Sequence, residues 1–269
     1  MAIVEASIKP TILVSGATGQ LGKTFQHFAS QWKQYDWVFC QRDDFPLDRP
    51  QEIEKTLERI RPMYCINAAA FTQVDVAETD PELAQRLNGD AVAQLVQFCN
   101  EQNSTLIHFS TDYVFDGQQS HPYTEEDTPK PINAYGKSKL SGEQAVLNHA
   151  HKGYVIRTSW LYSKAFGKNF YRTILQKAKA GEPLQVVDDQ IGTPTSTDTL
   201  VAAVMEMIQT PWPYGLYHIA DEEVHSWYSF AQKILQEEGM TAQIQPTSTP
   251  TGATPRPRFS ALGTTKKST

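Results

Sequence analysis

Tyr135 and Lys139 have the residue types and the spacing of a proton-donating pair. On a helix, residues four apart lie on one face, which would bring the Lys139 ammonium close to the Tyr135 phenol. A neighbouring cation favours the phenolate, so it lowers the pKa of a tyrosine from about 10 and makes the phenol a better acid near neutral pH. The same spacing is common by chance on solvated helix faces, so the surrounding elements must decide between the two interpretations.

Thr111 ends an apolar run, residues 105–111, that is typical of a strand. Open α/β sheets bind ligands at the carboxyl ends of their strands, so the Thr111 hydroxyl would be placed to hydrogen-bond a substrate carbonyl. Thr111, Tyr135 and Lys139 would then supply a carbonyl anchor, an acid and a partner that tunes the acid. These are the groups that carbonyl reduction requires.

Residues 11–32 have the pattern of a strand, a glycine-rich turn and an amphipathic helix. Glycines permit a tight turn and a close approach of the backbone to a pyrophosphate, and the free N–H groups at a helix amino terminus bind phosphate. We therefore predict a dinucleotide site at this turn, formed by Gly16, Thr18, Gly19, Gln20, Leu21 and Gly22.

The next predicted strand, residues 37–40, is followed by Arg42. An arginine at this place accommodates the 2′-phosphate of NADP, whereas an acid holds the 2′-hydroxyl of NAD. Arg42 favours NADPH, with NADH and a plain surface role for Arg42 left open. The small side chains of Ala68, Ala69 and Ala70 would let the cofactor lie flat against the chain, or would simply pack in the core.

Short apolar segments alternate with longer helical ones, including a long helix predicted over residues 81–102. This order predicts an α/β fold with a Rossmann-type doubly wound parallel sheet. We expect an NAD(P)-binding Rossmann domain at residues 11–162. Residues 163–269 would form mainly a smaller carboxyl-terminal substrate-binding lobe, with the chain interleaving between the two units.

The composition excludes several other classes of protein. The net charge is −6, the pI is near 5.7 and no basic cluster suggests a nucleic-acid partner. Cys40, Cys65 and Cys99 are far apart, which is typical of reduced core thiols in a cytoplasmic protein and not of a disulfide framework or a metal site. No apolar run is long enough to span a membrane.

Several motifs together make the chain recognisable. The glycine turn, the Asn67–Ala70 segment, residues 110–117 and the Tyr-x-x-x-Lys pair resemble the extended short-chain dehydrogenase/reductase superfamily. Finer motifs are similar to those of its dTDP-4-dehydrorhamnose reductase family, and they lie at residues 157–160, 189–195, 215–218, 226–228 and 256–257. The resemblance extends from residue 11 to about residue 266.

The resemblance implies hydride transfer from NADPH to the C4 ketone of dTDP-4-dehydro-L-rhamnose, the last step of dTDP-L-rhamnose biosynthesis. Tyr135 would protonate the new alkoxide, and Lys139 would hold the nicotinamide ribose and tune Tyr135. Thr111 would bind the C4 oxygen. The remaining implied roles are cofactor binding by Asp48 and Thr72, and substrate binding by Asp112, Trp160 and Arg256.

The sequence departs from the family pattern in places. Val76 stands where the family often has a lysine, and residues 221–223 are acidic where the family has a glycine-containing turn. Residues 258–263 differ from the usual segment after Arg-Pro, and the family usually continues into a helix beyond residue 269. A divalent-ion requirement, such as Mg²⁺, and a homodimer are both left open.

Two other functions fit the same motifs. A non-catalytic NADP-binding protein, similar to the regulatory β subunit of methionine adenosyltransferase, would have no chemical need for Thr111, Tyr135 and Lys139 together. A nucleotide-sugar epimerase or dehydratase would need further acid/base groups. In dehydratases an Asp-Glu pair follows the threonine, whereas here Asp112 is followed by Tyr113. Simple reduction is therefore favoured.

Overall fold

The computed structural model describes residues 9–263. Its centre is a six-stranded sheet in which every neighbouring pair is parallel, in the order β10-β5-β4-β3-β1-β2. The six strands are β1 Thr11–Ser15, β2 Asp36–Phe39, β3 Tyr64–Asn67, β4 Thr105–Thr111, β5 Gly153–Thr158 and β10 Gly215–His218. The predicted doubly wound parallel sheet is confirmed.

Helices cover both faces of this sheet, as a parallel sheet requires. Successive residues of a strand point to opposite faces, so Ile12 and Val14 pack with one apolar cluster while Leu13 packs with the other. The helices are α1 Gln20–Phe28 and α8 Thr197–Gln209 on the first face, and α2 Pro50–Ile60, α5 Ala91–Glu101 and α6 Ala134–His149 on the second.

The chain reverses its direction of winding between β1 and β3. From β1 it passes to β2 on one side, and it then crosses back to β3 on the other side of β1. Ligands bind in the crevice that such a switch point opens at the carboxyl ends of the strands. Ser15, Asn67 and Thr111 lie at or next to these strand ends.

A separate apolar cluster lies in the second half of the chain, around the buried side chains of Tyr171, Ile174, Phe230 and Ile234. It is built by α7 Phe170–Lys179, β7 Leu184–Val187, α9 Trp227–Glu237 and β12 Ile244–Thr247, with β7 and β12 paired in parallel. Short strands complete this half: β6 Leu161–Tyr162, β8 Ile191–Gly192, β9 Thr195–Ser196 and β11 His225–Ser226.

The long helix predicted over residues 81–102 is interrupted. It consists of α4 Pro81–Gln85, a π-helical turn at Arg86–Asp90 and α5, and a short helix, α3 Val74–Thr79, precedes it. At the π-helical turn the Asn88 amide is buried, and it bonds both backbone groups of Phe71 at 2.9 Å and the Ser138 hydroxyl at 3.1 Å. The hydrophobic periodicity that predicted one long helix does not reveal these tertiary contacts. π-Helical turns are frequent at functional sites.

Two sequence expectations concern features outside the site. Cys40, Cys65 and Cys99 are buried and free of disulfides, as predicted. No helix between residues 9 and 263 is long and apolar enough to cross a membrane.

Candidate active site

The glycine turn after β1 is packed too closely for larger side chains. Gly16 has a φ of +67°, and a Cβ there would lie 2.8 Å from the carbonyl oxygen of Ala68. A Cβ on Gly22 would lie 2.4 Å from the carbonyl oxygen of Gly16. Gly22 thus brings α1 against the turn, and it does not itself line the cavity described below.

The amino terminus of α1 lines a cavity through Gly19, Gln20 and Leu21. Gly19 occupies the N-cap position, and no side chain caps the helix there. Uncapped N–H groups and the positive end of the helix dipole form an anion site. The Gln20 side chain is held elsewhere, because its Nε2 donates to the Leu161 carbonyl at 3.0 Å and its Oε1 accepts from Asn169 at 3.1 Å.

The cavity has a volume of about 790 Å³ and runs along the carboxyl ends of the strands. It gathers most of the residues that the sequence singled out, from the glycine turn to the Thr-Tyr-Lys set. Those that line it are Gly16, Thr18, Gly19, Gln20, Leu21, Arg42, Asp48, Ala68, Ala69, Ala70, Thr72, Thr111, Asp112, Tyr135, Lys139 and Trp160.

Arg42 and Asp48 lie at the rim of this cavity, beyond the end of β2. Their side chains are 80% and 48% exposed, and Nη2 of Arg42 is 3.9 Å from Oδ2 of Asp48. Arg49 approaches the same carboxylate at 4.0 Å but does not line the cavity. Such exposed pairs contribute little to stability, so the Arg42 guanidinium can be engaged by an anion at low cost.

Thr111 and Tyr135 meet at the centre of the cavity. Thr111 accepts a hydrogen bond from the Tyr113 backbone N–H at 3.1 Å, and its own hydroxyl donates to Oδ1 of Asp112 at 3.0 Å. Thr111 lines the cavity together with Tyr135 and acts to lower the pKa of the phenol. The Tyr113 ring packs edge-on against Tyr135 with centroids 5.9 Å apart, which fixes the phenol between two elements.

The pKa of Tyr135 is raised, and Lys139 is not among the causes of the shift, so its tuning of Tyr135 stays a prediction. Burial raises the Tyr135 pKa above its usual value, the Asp112 carboxylate adds to that rise and Thr111 opposes it. The Lys139 ammonium is instead drawn to the carbonyl of Phe109, 2.7 Å away. Burial lowers the pKa of Lys139 to about 8, although Glu143 favours its charged form. The spacing of two residues on a helix does not reveal this competing acceptor on β4.

The Asp112 carboxylate is buried and already bonded on both oxygens. Oδ1 accepts from Thr111 at 3.0 Å, and Oδ2 accepts from the Ser260 hydroxyl at 2.5 Å. Burial raises its pKa to about 7, and these hydrogen bonds oppose the rise. Asp112 also lines the cavity, so its expected contact with substrate stays a prediction.

Trp160 is held in a strained backbone conformation, with a φ of +46°. Its indole stacks on that of Trp227, with centroids 3.5 Å apart and planes 4° from parallel. A Cβ on Gly192 would lie 2.5 Å from the Trp160 ring, so the glycine makes room for it. The ring that lines the cavity is therefore clamped between two elements of the second half of the chain.

Arg256 is the one expected substrate residue that does not line the cavity. Its Nη2 forms an ion pair with Asp75 on α3 at 2.8 Å, and its side chain also bonds Tyr113. Neither Arg256 nor Tyr113 lines the cavity.

Four polar residues of the site were missed by the sequence argument. Ser110 and Thr158 line the cavity, and their buried hydroxyls have no hydrogen-bond partner. Glu143 and Arg157 form a buried ion pair beneath Lys139. Glu143 follows Lys139 by four residues, and this spacing could have indicated it. Ser110 and Thr158 lie within the motifs at residues 110–117 and 157–160, but no pattern in those motifs gave the two hydroxyls a role.

The residues present fit a dinucleotide cofactor. The start of α1 lines the cavity and has no side-chain cap, and the exposed Arg42 guanidinium lies at the rim. The buried hydroxyls of Ser110 and Thr158 have no hydrogen-bond partner and could bind a polar ligand. Between residues 9 and 263, no three His, Cys, Asp or Glu side chains are arranged to hold a metal ion.

The sheet is of the Rossmann type, and its glycine turn shares one cavity with Thr111, Tyr135 and Lys139. These features define an oxidoreductase of the extended short-chain dehydrogenase/reductase class. The chain matches the RmlD substrate binding domain family over residues 10–269. It belongs to the dTDP-4-dehydrorhamnose reductase family.

Named relatives support this assignment. The dTDP-4-dehydrorhamnose reductase of Salmonella typhimurium is 36% identical to this chain over an alignment that is 269 residues long. The alignment covers 95% of this chain and 90% of that protein. A crystal structure of the Bacillus anthracis enzyme in complex with NADP superposes with a TM-score of 0.91 at 35% identity, covering 95% of this chain and 91% of that one. The Thermus thermophilus UDP-glucose 4-epimerase, at 17% identity and a TM-score of 0.80, shares the fold.

Proposed function

We propose that this protein reduces the C4 ketone of dTDP-4-dehydro-L-rhamnose to dTDP-L-rhamnose with NADPH. The observation that carries the proposal is the single cavity of about 790 Å³ that joins the glycine turn to Thr111, Tyr135 and Lys139. Membership of the reductase family over almost the whole chain supports the choice of substrate. The NADP bound to the Bacillus anthracis relative supports the choice of cofactor.

The cofactor site extends from the glycine turn to Lys139. The N–H groups at the start of α1 bind the pyrophosphate, and Arg42 at the rim binds the 2′-phosphate that distinguishes NADP from NAD. Ala68–Ala70 and Thr72 line the path between them, and Asp48 stands on the adenine side. When bound, the reduced nicotinamide supplies the hydride.

Tyr135 is the proton donor. As the C4 carbonyl becomes an alkoxide, the Tyr135 phenol gives its proton to that oxygen, and Thr111 hydrogen-bonds the same oxygen. The raised pKa of Tyr135 keeps the phenol protonated before the reaction, so the acid is present at neutral pH. The Tyr135 phenol faces the developing charge, and Thr111 stabilises it once its hydroxyl proton turns from Asp112 to the substrate oxygen.

Lys139 keeps positive charge beneath the phenol. Its pKa, lowered to about 8, still leaves the ammonium largely protonated at neutral pH. Its bond to the Phe109 carbonyl leaves two ammonium protons for the nicotinamide ribose and for stabilising the Tyr135 phenolate after proton transfer.

The substrate nucleotide is assigned to the lobe within residues 163–269. Trp160, clamped by Trp227 and Gly192, offers a rigid apolar face at the boundary of the cavity with that lobe. A flat, fixed ring suits packing against a sugar or a base.

The test is NADPH oxidation by the purified protein with dTDP-4-dehydro-L-rhamnose, generated from dTDP-glucose by the two preceding enzymes. We expect loss of NADPH absorbance that depends on every component and disappears in Tyr135→Phe. Oxidation that persists unchanged in Tyr135→Phe would remove Tyr135 from the mechanism. Cofactor binding without any oxidation would favour the regulatory alternative.

A further inference from the structure

A segment near the end of the described chain, residues 255–263, lies across the back of the site, and we call it the carboxyl-terminal strap. Backbone hydrogen bonds of 2.8 Å join it to Ile191 and to Tyr123. The Leu262 N–H donates to the Thr193 hydroxyl at 3.1 Å. Ser260 and Ala261 are at most 1% exposed, so the strap is anchored on both sides of Ser260.

Hydrogen bonds connect Ser260 through Asp112 to Thr111, the proposed carbonyl anchor. The Ser260 hydroxyl donates to Oδ2 of Asp112 at 2.5 Å, although 148 residues separate the two. Oδ1 of Asp112 accepts a hydrogen bond from the Thr111 hydroxyl at 3.0 Å, and Thr111 lines the cavity together with Tyr135. The strap thus reaches the reacting groups through one buried carboxylate.

We propose that Ser260 is a positioning residue that, through Asp112, sets the direction in which the Thr111 hydroxyl donates its proton. When Asp112 is ionised, both of its oxygens are acceptors, so the Thr111 proton points to Asp112 and is not available to the substrate carbonyl oxygen. When Asp112 is protonated, its O–H donates to the Thr111 oxygen. The Thr111 proton is then released to the substrate carbonyl oxygen.

The switch is a single protonation of one carboxylate. It forms or breaks only the Asp112 O–H bond, and its proton exchanges with water through the cavity that Asp112 lines. Since the pKa of Asp112 is raised to about 7, both states are accessible near neutral pH. The Ser260 hydrogen bond opposes that rise, so it favours the ionised state.

Few charged groups face Asp112. Tyr113 and Tyr135 are the titratable groups within its field, and Asp112 raises the pKa of both. Arg256 approaches from beyond Tyr113. Lys139, on the same helix as Tyr135, is bonded to Phe109. Within the strap the charged side chains are Arg256 and Arg258, and residues 259–263 carry none.

This inference rests on the proposed reduction, and its test compares three variants. Ser260→Ala removes the donor to Asp112, and Asp112→Asn removes the titration. Thr193→Val is the matched control, because it removes a buried hydroxyl that also anchors the strap without touching Asp112. The measurements are kcat and kcat/KM for reduction as functions of pH.

In the wild type we expect reduction to slow as the pH rises through about 7, and we call this decline the alkaline limb of the pH profile. Losing one hydrogen bond to a carboxylate raises its pKa by about one unit, so Ser260→Ala moves this limb to higher pH by about that amount. Thr193→Val leaves the limb in place, and Asp112→Asn abolishes it. A limb that stays in place in Ser260→Ala, or that survives in Asp112→Asn, overturns the inference.

A second readout does not depend on activity. The infrared carbonyl band of a protonated, buried carboxyl should appear in the wild type as the pH falls through about 7. It should be absent in Asp112→Asn and should appear at higher pH in Ser260→Ala. If the wild type binds NADPH without reducing the sugar, the proposed function fails, while this titration alone still decides the Ser260–Asp112 coupling. An unshifted band in Ser260→Ala overturns that coupling.

Discussion

The Arg157 guanidinium holds the Glu143 carboxylate in a fork beneath the site, with Nε 2.9 Å from Oε1 and Nη2 2.7 Å from Oε2. Both side chains are at most 2% exposed. The same carboxylate favours the charged form of Lys139, one helical turn before it. Glu143 therefore neutralises the buried Arg157 charge on β5 and also favours the charged form of Lys139 on α6.

Glu143→Gln should destabilise the fold by about 3 to 5 kcal/mol, because it leaves the Arg157 charge buried and uncompensated. Urea unfolding at pH 7 measures this loss. The matched control is the double variant Glu143→Leu with Arg157→Met, which removes both charges and should lose much less. Equal losses in the single and the double variant would show that packing, and not charge pairing, dominates here.

Tyr135→Phe should lower turnover by roughly 100-fold or more, the usual scale for a general acid. NADPH binding should be nearly unchanged, because the ring and its edge contact with Tyr113 remain. Stopped assays give the first quantity and isothermal calorimetry the second. A large loss of cofactor affinity in this variant would assign the Tyr135 hydroxyl to binding.

Arg42→Ala should weaken NADPH binding more than NADH binding, because only NADPH carries the 2′-phosphate. Arg49→Ala is a close control, since Arg49 approaches the same Asp48 carboxylate but does not line the cavity. Calorimetric titration of both cofactors on both variants measures the difference. If the two cofactors lose equal affinity in Arg42→Ala, the preference has another origin.

Trp227→Ala should raise the KM for the sugar nucleotide and leave kcat largely intact. The change removes the stacking partner of Trp160, a contact of a kind worth about 0.5 to 1.5 kcal/mol beyond the buried area, or roughly a threefold to tenfold change in affinity. Steady-state kinetics at saturating NADPH measures the effect. A fall in kcat with an unchanged KM would show that Trp227 acts on the chemical step.

Local sequence patterns predicted much of the sheet and of the cavity lining. The strand over residues 105–111 has the predicted bounds, and the strand predicted at residues 37–40 is found at Asp36–Phe39, because short apolar runs between turn signals carry that information. The glycine turn was recognisable for the same reason, since one of its constraints is local: a Cβ on Gly22 would meet the Gly16 carbonyl oxygen.

Long-range contacts explain what the sequence did not predict. The direction of the Tyr135 pKa shift depends on burial and on the Phe109 carbonyl, which takes the Lys139 ammonium. The bond from Ser260 to Asp112 joins residues far apart in the chain. Arg256 was expected at the substrate, yet its partner is Asp75. None of these pairings leaves a periodic signal.

Strand β10 has a consequence for how the molecule is made. It pairs with β5 at the edge of the sheet, yet it follows β5 by some sixty residues, after α7 and α8. During synthesis, one edge of β5 therefore stays unpaired until the intervening chain and β10 have been added. An exposed strand edge can pair with other chains and cause aggregation. A fragment that ends at residue 162 would keep that edge permanently, so the cofactor-binding half is expected to aggregate when it is expressed alone.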